Sequence, residues 1–128
     1  MPSDAVISYL PQDTRSLSGS VFDCAKAHGA PPEIVMAILN KLDFRSDLFS
    51  KDVSAFSDGQ KKKTALAISL ATPAHLYVWD EPLNYIDLVS RIQLEELILR
   101  SCPTMLFVEH DALFCGHIAT KTLFLGNN

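Results

Sequence analysis

The stretch Leu76-Tyr77-Val78-Trp79-Asp80-Glu81-Pro82-Leu83-Asn84-Tyr85-Ile86-Asp87 constrains this chain more than any other. An apolar run of strand length stops abruptly at two adjacent acids and a proline. Strands buried in parallel sheets read as such continuous apolar runs. Open α/β sheets bind ligands outside the carboxyl ends of their strands, which is where Asp80 and Glu81 fall. An aspartate there can hold Mg²⁺ whose coordination is completed by substrate phosphates. A glutamate beside it can orient or deprotonate a water. A plain strand that ends in a solvated turn would carry the same short pattern, so the flanking sequence has to decide.

The chain has 128 residues, a net charge of −4 and 48% hydrophobic residues, which suits about one globular domain with a core of its own. Mild acidity argues against general nucleic-acid affinity through bulk charge. Three widely spaced cysteines, Cys24, Cys102 and Cys115, suggest neither a disulfide framework nor a metal cluster, and fit a reducing compartment. No apolar run reaches membrane-spanning length and no signal peptide opens the chain. The expectation is a cytoplasmic protein without membrane insertion. The chain opens almost directly on a strand-like run, Ala5–Leu10, and closes just after another, Thr122–Leu125. A compact domain can do this, and so can a piece of a longer one.

Between these runs the elements alternate. Pro11 stops the first strand and leaves Gln12 at its end. Ser20 to His28 predicts a helix with Val21, Phe22 and Ala25 on one side and Gly29 as its stop. Pro31-Pro32-Glu33 opens another, with Ile34, Ile38, Leu39 and Leu42 at helical spacing. A shorter helical segment is expected near Ser46 to Ser50. Ser57 is a natural N-cap and Asp58 suits the first turn of a helix through Leu70. Lys61, Lys62 and Lys63 oppose the dipole of that helix. Either they are simply solvated beside a capped helix, or the helix start and its lysines form a phosphate site. Leu88 to Arg100 reads as an amphipathic helix with Val89, Ile92, Leu94, Leu97 and Ile98 apolar. Thr104–Val108 is a second buried strand ending at Glu109-His110-Asp111, and a short helix near Ala112 to Ile118 leads to the last strand. The order implies an α/β fold with a parallel sheet, right-handed crossovers and a helical insertion.

Gln12, Asp80 with Glu81, and His110 then share one sheet edge. A metal ligand, a water-orienting base and donors to a γ-phosphate are what nucleotide hydrolysis requires. At this point the chain resembles the ATP-binding-cassette (ABC) ATPases. Gln12, Ser57-Asp58-Gly59-Gln60, Asp80-Glu81-Pro82, Asn84 to Asp87 and His110-Asp111 fall in the order and approximate spacing of the Q-loop, signature, Walker B, D-loop and H-loop. Five motifs in order make the resemblance specific, and it covers about Ile7 to Leu125. Asp-Glu-Pro-x-Asn-x-x-Asp and the Gln-Lys-Lys-Lys run look like the ABC-F subfamily, whose members are soluble, carry two cassettes and act on ribosomes. Phe56–Lys63, His75–Asn84 and Pro103–Asp111 look closest to the second cassette of Lsa-type antibiotic-resistance ribosome protection proteins.

The resemblance implies a P-loop NTPase-like cassette with ATP and Mg²⁺ as cofactors, a partner cassette, and the ribosome as the partner of the parent protein. It divides residues 1–128 into a helical subdomain of about 18–72 and a Walker B, D-loop and H-loop core of about 73–125. Asp80 would hold Mg²⁺, Gln12 would touch it and the attacking water, and Glu81 would polarise that water. His110 would contact the γ-phosphate. Ser57, Gly59 and Gln60, with Asp58 among them, would reach ATP on a partner cassette, and Asp87 would help join the two halves. Two departures stand out. Phe56 and Asp58 replace the usual Leu and first Gly of Leu-Ser-Gly-Gly-Gln, and a carboxylate weakens a triphosphate contact unless it points away. No Gly-x-x-x-x-Gly-Lys-[Ser/Thr] loop occurs in the chain, so the Walker A half is absent and the cassette is incomplete. The expected reading is a C-terminal portion of a second ABC-F cassette. Its alternatives are a transporter cassette fragment and a non-catalytic remnant that acts as an interaction module.

Overall fold

The computed structural model describes residues 6–11, 17–101 and 105–108. Strand β1 is Ile7–Leu10, followed by helices α1 (Val21–Ala27) and α2 (Pro32–Lys41). Two short 3₁₀ turns, Ser46–Ser50 and Val53–Ala55, lead to helix α3 (Asp58–Ala71). Strand β2 (Leu76–Asp80), helix α4 (Leu88–Ser101) and strand β3 (Met105–Val108) complete it. The strands form one parallel sheet in the order β1-β2-β3. Leu10 pairs with Trp79, and Asp80 pairs with Val108, so the three carboxyl ends share one edge with β2 at its centre. Among the described residues no helix is long and apolar enough to cross a membrane.

The helix boundaries follow local chemistry. Ser20 caps α1 with a reciprocal hydrogen-bond pair to Asp23, and Gly29 ends it at φ +72°. Pro32 occupies the first turn of α2, where a missing N–H costs nothing. The faces differ from the periodicity in places. Val35 is buried and Ile34 faces out; Phe22 faces out and Cys24 takes the inner position; Val89 and Ile92 of α4 are exposed while Ser90 is fully buried. Each of these helices packs on one narrow stripe, so one residue's rotation separates buried from exposed. The expected helix at 112–118 and the strand at 122–125 lie outside the described residues.

Helix α3 joins the two layers. Its body packs against α2, and its last turns lie on the sheet. Right-handed crossovers stepping one way along a sheet place α3 and α4 over the same face. Leu10 and Trp79 point to that face and are buried. On the opposite face a row runs in register from Tyr9 through Val78 to Leu106, with Tyr9 and Leu106 exposed. The sheet is thus covered on one side only by described residues.

The covered side contains a closed polar circuit. Trp79 Nε1 donates to Ser69 Oγ at 2.8 Å. Ser69 and Ser8 hydroxyls meet at 2.7 Å, and Ser8 donates to the Ser69 carbonyl at 2.9 Å. If Ser69 donates to Ser8, each proton has an acceptor and no buried donor is left open. Replacing Ser69 with alanine strands the indole N–H of a fully buried Trp79, at a cost of about 1–3 kcal/mol. Urea unfolding followed by tryptophan fluorescence should show that loss in S69A.

Candidate nucleotide site

Asp80 is the last residue of β2, half-buried at the sheet edge. Glu81 then turns the chain with φ +48°, and Tyr85 turns it again at φ +68°. Left-handed backbone at a non-glycine residue costs about 1 kcal/mol or more and persists only where the surroundings impose it. Here the loop is pinned by Pro82, Leu83 and Ile86, all buried, and by turn bonds from Asn84 N–H to Glu81 O and Ile86 N–H to Leu83 O. The Asn84 amide donates to Glu81 Oε2 at 3.0 Å, which fixes the carboxylate beside Asp80.

Helix α3 begins opposite this loop. Ser57 Oγ accepts from Gln60 N–H at 3.2 Å, and Gln60 Oε1 accepts from Ser57 N–H at 3.0 Å. Gln60 is therefore engaged in a capping box. Asp58 is exposed in the first turn, where a carboxylate suits the dipole. Phe56, in place of the usual Leu, is buried edge-on against Phe44, which stacks on Phe49. The larger ring anchors the segment before the helix in the core. Gly59 sits where a Cβ would lie 2.8 Å from the Tyr85 carbonyl oxygen, so the backbones of helix and loop meet at closest approach.

Lys62 and Lys63 are not simply solvated beside the capped helix. Lys62 is buried, 1% exposed. Lys63 Nζ lies 3.0 Å from Asp87 Oδ1. Asp87 also caps α4, accepting from Ser90 N–H at 3.1 Å through Oδ2, and its Oδ1 lies 2.9 Å from Ser90 Oγ. Ser90 Oγ is 3.0 Å from the Leu42 carbonyl as well, so its one proton is shared between the loop and the end of α2. Sequence reasoning missed Lys63 and Ser90 as site-shaping residues. The Asp87-x-x-Ser90 spacing is an N-cap signal that could have found the second; the first needs the tertiary approach of α3.

Gln12 and His110 lie outside the described residues. The structure therefore brings together Asp80, Glu81, Asp87 and the 57–60 helix start around one loop. The donors present fit a hard cation. Among the described residues no three His, Cys, Asp or Glu converge to cage a metal, whereas Mg²⁺ takes one or two carboxylates and draws the rest from phosphates and water. Asp80 suits that demand as one carboxylate ligand, with Glu81 beside it as the group to act on a water.

Burial pushes the Asp87 carboxyl upward, but the Ser90 N–H, the Lys63 ammonium and the Ser90 hydroxyl together outweigh it and hold the group at about 2, against an ordinary 3.8. A depressed carboxyl stabilises the fold above its unfolded value and loses that contribution as pH falls through the folded one. With the side chain 50% exposed, screening reduces the contribution to about 1 kcal/mol or less. Wild-type and D87N should differ in urea midpoint at pH 6, and the gap should close between pH 4 and pH 2.

Comparison with known proteins places this geometry. A family model described as ABC transporter matches residues 2–84. The putative ATP-binding protein YdiF of Bacillus subtilis is 32% identical over 130 residues, covering 98% of this chain and 20% of that protein. ABC transporter F family member 5 of Arabidopsis thaliana is 31% identical over 100 residues, covering 78% of this chain and 14% of that protein. Among solved structures, the complex of archaeal ribosomal stalk protein aP1 with the ribosome recycling factor aABCE1 contains a chain that superposes with a TM-score of 0.73 at 25% identity. The overlap covers 92% of this chain and 24% of that one. The chain thus spans about a fifth of the length of its first-named relative. Its parallel sheet with helices is that of the cassette, and the chain belongs to the ABC transporter family as part of an ATPase domain, with F-family proteins among its relatives.

Proposed function

We propose that these residues supply the signature, Walker B and D-loop portion of an ABC-F-type cassette whose parent protein hydrolyses ATP and acts on the ribosome. The observation that carries the reading is the acidic strand end. Glu81 follows Asp80 on a left-handed turn, its carboxylate is held by Asn84, and the loop that carries it abuts the start of α3 at Gly59. In this reading Asp80 holds Mg²⁺, which supplies charge neutralisation at the phosphates. Glu81 orients a water and takes its proton. The helix start Ser57–Gln60 serves ATP carried by a partner cassette, with exposed Asp58 at its rim. Asp87 serves the joint between the halves through the loop it caps. Gln12 and His110, outside the described residues, would complete the set, with residues of about 18–72 as the helical lobe and about 73–125 as the core.

The family relationship supports ATP as the ligand, and the archaeal ribosome recycling factor among the structural neighbours supports a role in translation. The finer assignment is to ribosome protection of the Lsa type, conferring antibiotic resistance from the cytoplasm. It rests on the resemblance of Phe56–Lys63, His75–Asn84 and Pro103–Asp111.

The chain by itself lacks the phosphate-cradling loop, so the purified 128-residue protein should show no ATP turnover. Fused to the first half of a cassette from the Bacillus relative, it should hydrolyse ATP. Glu81→Gln should then lower kcat at least 100-fold while retaining bound ATP. Unchanged turnover in that variant would remove Glu81 as the base. Co-sedimentation of the trapped form with ribosomes, and a raised inhibitory concentration of ribosome-targeting antibiotics in cells carrying the complete parent, would test the finer assignment.

A further inference from the structure

We infer that Gly59 and Lys63 of α3, together with Asp87 and Ser90, form a two-point clamp that makes the signature helix start and the Glu81–Asp87 loop move as one body. The inference rests on the reading of 57–60 and Glu81 given above. It concerns positioning residues and no new catalytic group.

Gly59 and Lys63 are four residues apart, so they lie on one face of α3, one above the other. Both meet the same loop. The absent side chain at 59 admits the Tyr85 carbonyl, where a Cβ would come to 2.8 Å. One turn further on, Lys63 reaches Asp87 at 3.0 Å. Two contacts separated by a helical turn resist both sliding and rotation of the helix over the loop, which a single contact cannot do. The Lys63 side chain is 12% exposed and that of Asp87 50%, so the lysine end of the pair is held in the protein while the carboxylate end is partly screened. Ser90 extends the tie to the end of α2 by its 3.0 Å approach to the Leu42 carbonyl, 48 residues away in sequence. Tyr85 is held in left-handed backbone between these anchors and is 67% exposed at the loop tip. A local cap on α4 would need Asp87 and Ser90 only. Gly59 and Lys63 belong to a different element and have no part in capping.

The consequence is mechanical coupling. Ser57 to Gln60 and Glu81 are proposed to serve two different nucleotides, their own and the partner's. The clamp transmits a displacement at one to the other without a hinge between them.

Hydrogen exchange read by mass spectrometry on the full 128-residue chain tests this. Lys63→Met should raise exchange about tenfold at the hydrogen-bonded amides of both places, Gln60 and Lys61 in the helix start and Asn84 and Ile86 in the loop, and leave the Ser69–Ala71 and Leu76–Trp79 amides as in the wild type. Lys63→Arg should restore protection at both places. Gly59→Ala should reproduce the effect on the loop. Asp87→Asn should loosen the same two segments and the Ser90 amide besides, and adding Lys63→Met to it should change α3 no further. Exchange that rises only at 88–91 in Asp87→Asn, with Lys63→Met and Gly59→Ala silent in the partner segment, would overturn the clamp and leave a plain helix cap. Unchanged Trp79 fluorescence in each variant shows that the fold has been kept. None of these amides needs nucleotide. A failed ATPase assay would therefore strike the functional reading alone, and silent exchange with Glu81-dependent turnover would strike the clamp alone.

Discussion

The seating of α3 on the sheet is the contact on which the other geometry depends. Trp79 is the largest fully buried side chain, and it lies in the central strand one residue before the acids. An indole in an apolar layer fits in many orientations; its N–H does not. Bonding to Ser69, which is bonded in turn to Ser8, sets α3, β1 and β2 in one register. A satisfied polar network within a core specifies position more sharply than apolar contact does, because a slipped alternative leaves donors unpaired in low dielectric. The placement of Asp80 and Glu81 relative to the start of α3 follows from this fit some three turns away along the helix.

From there the site is assembled by opposed small effects. Two left-handed residues, Glu81 and Tyr85, strain the loop. Buried Pro82, Leu83 and Ile86 and the amide of Asn84 hold it in that shape. Burial pushes the Asp87 carboxyl upward, and Ser90 and Lys63 depress it by more. Phe56 departs from the usual signature leucine without weakening the segment, since Phe44 and Phe49 give it an aromatic pocket. Asp58 departs too, and its exposure in the first helical turn places its charge where the helix favours it. Tyr9, Val78 and Leu106 form one row on the sheet face that the described residues leave uncovered.

Much of this was legible in advance where one residue type answers one local requirement. Ser20 and Ser57 marked helix starts, Pro32 a first turn, Gly29 an end, and the apolar run before Asp80 the central strand. Periodicity was less reliable for which face is buried. Ile34 and Ile92 looked like core and face outward, while Ser90, which the apolar spacing passes over, is fully buried. Hydrophobic spacing gives a stripe's repeat but not its exact rotation, and a polar residue can enter the core if its hydrogen bonds are met there.

The sequence alone determined the order of elements, the parallel sheet, the acidic end of β2 and the candidate set around it, because these depend on local propensity, alternation and motif order along the chain. The tertiary structure decided what the lysines do, why position 59 must be glycine, and where the carboxylate of Asp87 is held. Those depend on the approach of segments 24 to 48 residues apart, Lys63 to Asp87 and Leu42 to Ser90. No local pattern encodes that distance. It is set by how one helix, fixed at its far end by Ser69 against Trp79, lies across the loop at the other.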